Sequence, residues 1–152
     1  TAGGIPAAHI ARWDGSAWHG LGEGVNGNVH ALAIYDGRLV AGGVFTTAGE
    51  AAVNNLAAWD GNNWAQKSPA TSPPARSFHS MAYDAGHGRV VLFGGMTYDD
   101  TWIWDGSDWS QGSPAGNPPS SWSHAMVYDA ARRQVVLFGG AIQPGTAPQV
   151  MV

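Results

Sequence analysis

The chain has 152 residues, with 22 Gly, 9 Pro, 8 Trp, no Cys and a formal charge of −4. Charged residues make up only 12% of it, and because long helices carry charged residues on their solvent face, we expect short strands and many turns rather than an all-α protein. The negative charge disfavours a nucleic-acid partner, and no apolar run approaches the roughly 20 residues of a membrane span. The lack of Cys excludes disulfides, thiolate metal sites and Cys nucleophiles.

Two motifs recur along the chain with a period of about 45 residues. Trp-Asp-Gly-x-x-Trp occurs at residues 13–18, 59–64 and 104–109, at offsets of 46 and 45 residues. His-x-Met-x-Tyr-Asp begins at His79 and again 45 residues later at His124. A Gly-Gly pair also follows an apolar run in three of the periods. Independent motifs that keep one period indicate a structural repeat.

In chain order, the repeat divides the sequence into five segments. Residues 8–21 predict two strands, since only the Trp-Asp-Gly motif and its flanks are present there. Residues 29–67 and 77–111 each predict four strands, and residues 122–140 predict two more. Residues 141–152 show no alternation of apolar and polar positions, so we expect a loop or an irregular tail.

Two kinds of tight turn are predicted inside the repeats. Asp36-Gly37 separates two apolar stretches by two residues, which is typical of a type I′ hairpin. In each Trp-Asp-Gly-x-x-Trp motif, Gly supplies a positive φ and the Asp side chain caps the turn. The two flanking tryptophans should therefore face each other on adjacent strands.

The middle repeat resembles a kelch repeat of the kind found in kelch and galactose-oxidase-type proteins. The residues that carry the resemblance are 78–84 (Phe-His-Ser-Met-Ala-Tyr-Asp), 90–95 (Val-Val-Leu-Phe-Gly-Gly) and 101–106 (Thr-Trp-Ile-Trp-Asp-Gly). The resemblance extends over residues 76–140, and residues 8–67 look like a related repeat of bacterial surface propellers. It implies an all-β fold, a β-propeller built of four-stranded antiparallel blades.

The segments add up to about three blades: a half blade, two blades and another half blade. Propellers usually have four to eight blades, so three cannot close a ring. We therefore expect either a longer parent chain or a homo-oligomer that completes the ring. In the second case, the C-terminal half blade of one copy would join the N-terminal half blade of the next, which hides exposed strand edges.

The histidines and acids of the repeats have alternative interpretations. His30, His79 and His124 share one repeat position, where they could bond to a neighbouring blade or bind a metal in the central channel. The first is favoured because no metal-ligand spacing accompanies them. Likewise, the loop at residues 98–100 (Tyr-Asp-Asp) is either an acidic turn or a Ca²⁺ loop, and its spacing does not match the usual Ca²⁺ pattern.

No catalytic motif stands out in the sequence. The three repeated acids Asp14, Asp60 and Asp105 precede Gly at equivalent turns, whereas a catalytic acid needs one special environment. Galactose-oxidase chemistry requires a Tyr–Cys cross-link, which a chain without Cys cannot form. We therefore predict no catalytic residue, no metal and no cofactor.

The loops on one face of the predicted propeller are the best candidates for ligand binding. These are the loops between second and third strands and the linkers between blades. Five of their residues are predicted to bind a ligand: Glu50, Arg76, Tyr98, Asp99 and Trp122.

We expect a non-enzymatic interaction module, extracellular or at the cell surface, that binds a protein or a glycan. Its Lys-poor, Trp- and Gly-rich composition is typical of secreted bacterial proteins. Two alternatives stay open: the propeller portion of a larger carbohydrate-active enzyme, and an architectural subunit of a surface or filament assembly. The fold alone does not separate them, because propellers serve many functions.

Overall fold

The computed structural model describes residue 4 and residues 6–116 and 118–142. The chain divides into two compact units, Thr1–Ser68 and Pro69–Val152. The fold is all-β: the regular structure of the described residues consists of antiparallel sheets of two to four strands, with no helix among them. That part of the chain accordingly offers no helix of the length and apolarity that a membrane crossing requires.

The first unit holds eight strands in three sheets. β1 and β2 form a hairpin, β5 and β6 form a second small one, and the remaining strands form a four-stranded sheet in the order β3-β4-β7-β8. The strands are β1 (Ala11–Trp13), β2 (Trp18–Gly20), β3 (Asn28–Tyr35), β4 (Arg38–Val44), β5 (Thr47–Ala48), β6 (Ala51–Ala52), β7 (Leu56–Trp59) and β8 (Trp64–Gln66).

The second unit also holds eight strands in three sheets. Four consecutive strands form a sheet in the order β9-β10-β11-β12, while β14 pairs with β15 and β13 pairs with β16. The hairpin of β14 and β15 packs along β9. The strands are β9 (Ser80–Asp84), β10 (Arg89–Phe93), β11 (Thr101–Trp104), β12 (Trp109–Gln111), β13 (Ser121–Trp122), β14 (Ala125–Asp129), β15 (Gln134–Phe138) and β16 (Ala141–Ile142).

The predicted turns are confirmed. Asp36 and Gly37 have φ values of 49° and 70°, as a type I′ turn requires. In the Trp-Asp-Gly turns, the Asp105 carboxylate accepts hydrogen bonds from the backbone N–H groups of Ser107 and Asp108, at 2.8 and 2.9 Å. The same capping bonds occur at the other two turns.

Each of the three tryptophan pairs lies directly across two adjacent strands, as predicted. The pairs are Trp13–Trp18, Trp59–Trp64 and Trp104–Trp109, with ring centroids 5.6, 5.4 and 5.5 Å apart. Tilted aromatic pairs at this distance add stability beyond their buried area. The same local sequence therefore builds the same hairpin three times.

The predicted tail needs one correction. Residues 141–142, expected at the start of an irregular tail, form β16 and pair with β13 in the register Ser121↔Ile142 and Trp122↔Ala141. Two-residue strands carry too little sequence to show alternation. Residues 143–152 of that tail lie outside the described residues.

The core of the first unit is formed by small and branched side chains around one tryptophan. Trp64 is buried, and its indole N–H donates to the carbonyl of Leu21 at 2.8 Å. The residues of this core are Ile10, Leu21, Val25, Ala41, Phe45, Ala48, Val53, Ala57 and Trp64. In the second unit Val90 and Trp104 are 0% and 1% exposed. These cores hold in place the strands that carry the candidate ligand-binding loops.

Candidate functional site

The five residues predicted to bind a ligand are divided between the two units. Glu50 belongs to the first unit, where it is exposed in the turn between β5 and β6. Arg76, Tyr98, Asp99 and Trp122 belong to the second unit. Each unit therefore has its own candidate loop.

The loop that carries Glu50 is held by one asparagine side chain. Asn26 Oδ1 accepts hydrogen bonds from the N–H groups of Thr46 and Thr47, at 2.8 and 2.9 Å. Asn26 Nδ2 donates to Thr46 Oγ1 at 2.9 Å, and Gly49 N–H donates to the Gly24 carbonyl at 2.7 Å. Glu50 consequently projects from an ordered hairpin, a feature that the sequence pattern did not predict.

In the second unit the loop from residue 94 to residue 100 is organised by Arg76. Its guanidinium donates from Nη1 to Asp100 Oδ1 at 2.5 Å and from Nη2 to Asp100 Oδ2 at 3.0 Å. It also donates to the carbonyls of Gly94, at 3.1 Å, and Pro74, at 3.2 Å. The Arg76 side chain is only 3% exposed, so it has little surface to offer a ligand and instead fixes the loop.

Asp100 receives a third donor, because Trp102 Nε1 donates to its Oδ2 at 2.7 Å. Burial raises the pKa of the Asp100 carboxyl, but the hydrogen bonds from Arg76 and Trp102 outweigh burial and hold the pKa below its usual value. The carboxylate is thus ionised and accepts three hydrogen bonds, which suits a structural ion pair rather than proton transfer. The sequence pattern predicts one acidic loop at residues 98–100 and does not distinguish this separate role of Asp100.

Tyr98 and Asp99 form the outer part of the same loop. The Arg76 guanidinium carbon lies 4.1 Å from the centroid of the Tyr98 ring, a cation–π contact. The backbone N–H of Tyr98 donates to the Gly95 carbonyl at 3.0 Å. Tyr98 is half-buried and Asp99 is exposed. The loop therefore offers a ligand one aromatic ring, held in place by Arg76, and one solvent-exposed carboxylate.

The Gly-Gly pair at the end of β10 joins this loop to β13. Gly95 N–H donates to the Ser121 carbonyl at 3.0 Å, and Gly94 N–H donates to the Asp100 carbonyl at 3.2 Å. A Cβ on Gly95 would lie 2.8 Å from the Ser77 carbonyl oxygen, and φ there is 99°. At Gly94 and Gly95, glycine is therefore required both by backbone conformation and by close packing.

Trp122 follows Ser121 in β13 and is half-buried. Because Gly95 bonds to Ser121, the structure holds β13 against the loop that contains Tyr98. The structure thus brings Arg76 and Tyr98 into direct contact, keeps Asp99 next to Tyr98 in the same loop and ties the Trp122 strand to that loop.

His124 bonds to a neighbouring sheet, as predicted. Its Nε2 donates to the Phe93 carbonyl on β10 at 3.2 Å, and Ser121 Oγ lies 3.2 Å from its Nδ1. Its ring also contacts the Phe93 ring edge-on, with centroids 5.6 Å apart. Burial lowers the pKa of His124 in spite of these bonds. No cluster of three His, Asp or Glu side chains that could hold a metal exists among the described residues.

A Ser, a His and an Asp also meet at the turn between β1 and β2. Asp14 accepts from Ser16 Oγ at 2.8 Å and from His19 Nε2 at 2.5 Å. The serine hydroxyl therefore donates to the carboxylate rather than to the imidazole, so no base stands ready to activate it. The arrangement is an exposed turn cap, not a nucleophilic site.

The sequence was also compared with known proteins. No protein-family model matches the chain, and no curated protein matches its sequence.

Proposed function

We propose that the chain is part of a kelch-like β-propeller that acts as a non-enzymatic interaction module. The observation that carries this proposal is the pair of four-stranded antiparallel sheets, β3-β4-β7-β8 and β9-β10-β11-β12, each with its strands in chain order. This is the strand order of a propeller blade. The contact of β14 with β9 adds support, because the first strands of neighbouring blades lie side by side in a propeller.

The partner is a protein or a glycan, bound through the loops between second and third strands and through the linkers between blades. In the second unit, Tyr98, Asp99 and Trp122 supply the contacts, since an aromatic ring stacks on a sugar or an apolar side chain and a carboxylate accepts hydrogen bonds. Arg76 positions the loop from within. Glu50 supplies an equivalent carboxylate in the first unit. Extracellular or cell-surface location fits a Lys-poor chain of this composition.

The test is a binding screen on two separate arrays, one of neutral and acidic glycans and one of peptides. Hits are repeated with Tyr98→Ala and Trp122→Ala, which we expect to weaken binding at least about tenfold, because stacked aromatic rings are typical hot spots. Tyr35→Ala is the control, since Tyr35 ends β3 beside the Asp36-Gly37 turn and belongs to neither candidate loop. Binding that survives both loop substitutions would contradict the proposed binding face.

A further inference from the structure

We propose that the β14–β15 hairpin of one copy of this chain docks against the β1–β2 hairpin and β3 of a second copy, with Val135 facing the partner's Trp13. The inference builds on the proposed propeller architecture, though not on its ligand. We call this contact between the two copies the joint. The inference states which chain forms it, in which strand register, and with which side chains.

The first observation is an unpaired strand edge on each hairpin. Within the described residues β15 pairs only with β14, and β1 pairs only with β2. In both four-stranded sheets the second strand is covered by a third, β4 by β7 and β10 by β11. An open edge of this kind is a ready template for another strand.

The second observation is that each hairpin matches one half of a four-stranded sheet of this chain in sequence and register. β15, with the sequence Gln-Val-Val-Leu-Phe, repeats the Arg-Val-Val-Leu-Phe of β10. The β1–β2 hairpin repeats the paired tryptophans of β7–β8 and β11–β12 in the same register. The structure therefore already contains the proposed pairing twice within one chain.

Those internal pairings set the register of the joint. Leu39 pairs with Trp59, and Val90 pairs with Trp104. By the same alignment Val135 faces the partner's Trp13, and Val136 faces the partner's Arg12.

The third observation is that equivalent residues are buried where the sheet is complete and exposed where it is not. Phe93 is 3% exposed, whereas Phe138, at the same position of β15, is 80% exposed. Trp104 is 1% exposed, whereas Trp13 is 52% exposed. Val127 shares the exposed face of Phe138 and is 63% exposed.

The first unit offers a surface that fits this face. An open pocket of about 400 Å³ lies beside β1 and is lined by residues 9–11 and 29–32. On β3, Leu32 and Ile34 are 44% and 54% exposed although both are large and apolar. Inserting β14–β15 here would cover apolar surface on both partners.

A contact that already exists within the chain predicts one side-chain contact of the joint. Phe93 packs its ring against His124, the histidine that precedes the first strand of the next sheet. His30 occupies the same repeat position as His124 and lines the pocket beside β1. We therefore place the Phe138 ring against the partner's His30.

The joint would remove apolar side chains of both copies from water. A large aromatic side chain contributes about 150–250 Å² when it is fully buried. One joint covers Phe138 and Val127 of one copy, which are 80% and 63% exposed, and Trp13 of the other, which is 52% exposed.

The test begins with sedimentation of the full 152-residue chain. We expect species of at least twice the chain mass, and Phe138→Asp should weaken association at least about tenfold, since it places a charge in an apolar contact. Met96→Asp, at an exposed loop position, should leave the mass unchanged. A folded wild-type chain that sediments only as a monomer overturns the proposal.

Disulfide trapping tests the register and does not depend on how Phe138→Asp folds. The chain has no Cys, so Arg12→Cys and Val136→Cys can be made separately, mixed and oxidised. We expect a covalent dimer, because facing residues on paired strands come within disulfide reach. Arg12→Cys mixed with Val135→Cys should not cross-link, since Val135 points to the opposite face. Equal trapping in both mixtures contradicts the register.

A pair of residues within one chain serves as the control. It shows whether a negative result refutes only the contact between copies or also the proposed four-stranded sheet. Val91 and Ile103 are paired inside the β9–β12 sheet, at the positions equivalent to Val136 and Arg12. The double variant Val91→Cys/Ile103→Cys should form an intrachain disulfide. If it does and the intermolecular pair does not, the joint is refuted while the four-stranded sheet stands. Ligand binding through Tyr98 is a third, independent readout.

Discussion

The Arg76 guanidinium binds both carboxylate oxygens of Asp100, with Nη1–Oδ1 at 2.5 Å and Nη2–Oδ2 at 3.0 Å. The two side chains are 3% and 17% exposed, so solvent screens this pair little. Arg76→Ala would leave the carboxylate without its main donors and also free two backbone carbonyls. We expect a loss of about 3–5 kcal/mol in the free energy of unfolding, measured by urea denaturation.

Two variants identify the cause of that loss. Arg76→Lys keeps the charge but not the two-pronged geometry, so its unfolding free energy should lie between those of wild type and Arg76→Ala. Arg132→Ala removes an arginine that is 73% exposed and paired with Asp129 at 2.7 Å, and it should have a much smaller effect. Equal losses for Arg76→Ala and Arg132→Ala would contradict the buried pair.

The second prediction concerns the diglycine after β10. Gly95→Ala forces an L-residue to a φ of 99° and brings its Cβ to 2.8 Å from the Ser77 carbonyl oxygen. Gly139, at the equivalent repeat position of Gly94, has a φ of 70° but no atom within 4 Å of an added Cβ. Gly139→Ala should therefore cost about 1–2 kcal/mol, the conformational cost alone. Gly95→Ala should cost clearly more, and thermal melts of the two variants compare them directly.

Local features could be predicted from the sequence, and long-range ones could not. The Asp-Gly turns and the tryptophan pairs depend on residues at most five positions apart, and the repeat places them three times over. Strand β9 begins only at Ser80, within the segment 77–111 that predicts four strands, because Phe78 has a φ of 61°, which lies outside the β region. Such a backbone conformation has no sequence signature for an aromatic residue.

The candidate loop of the second unit also combines a local feature that the sequence predicts with a long-range contact that it does not. Its position after β10 followed from the repeat, whereas the burial of Arg76 did not, because its partner Asp100 is 24 positions away. The repeat alone therefore predicts a ligand contact at Arg76, whereas the side chain is only 3% exposed in the structure. The pairing of β13 with β16 joins residues that are 19 and 21 positions apart, Trp122 with Ala141 and Ser121 with Ile142, and has no periodic signal either.

The third prediction is a loss of stability in mild acid that depends on His124. Burial holds the pKa of this histidine below its ordinary value of 6.5. The unfolded chain therefore takes up a proton at a pH where the folded chain does not. The free energy of unfolding is therefore highest, as far as His124 decides it, above pH 6.5. It decreases as the pH falls from 6.5 toward the pKa of His124 in the folded chain. Unfolding free energies measured between pH 7.5 and 5 should show this decrease, and His124→Gln should reduce its slope.

The fourth prediction is a further decrease in the free energy of unfolding at lower pH, caused by the carboxylates of the Trp-Asp-Gly turns. Hydrogen bonds from the backbone of Asp108, then those from Ser107, lower the pKa of Asp105 from 3.8 to about 2. A lowered folded pKa means that the stabilisation is complete above pH 3.8 and is lost as the pH falls from there toward 2. Asp105→Asn should therefore flatten the acid limb of a stability–pH curve. An unchanged curve for this variant would contradict the capping role of the carboxylate.

The last prediction uses the same tryptophan motif in two settings. Trp104 is 1% exposed and Trp13 is 52% exposed, although both face a second tryptophan at almost the same distance, 5.5 and 5.6 Å. Trp104→Ala should cost about 3–5 kcal/mol, because it leaves a large cavity in the second unit. Trp13→Ala should cost far less when the chain is dilute enough to be monomeric, since half of its side chain already faces water. At higher protein concentration its cost should rise, because the partner's β15 then covers Trp13. Melting temperatures of Trp13→Ala that stay parallel to those of wild type at every concentration would mean that Trp13 makes no contact with a second chain.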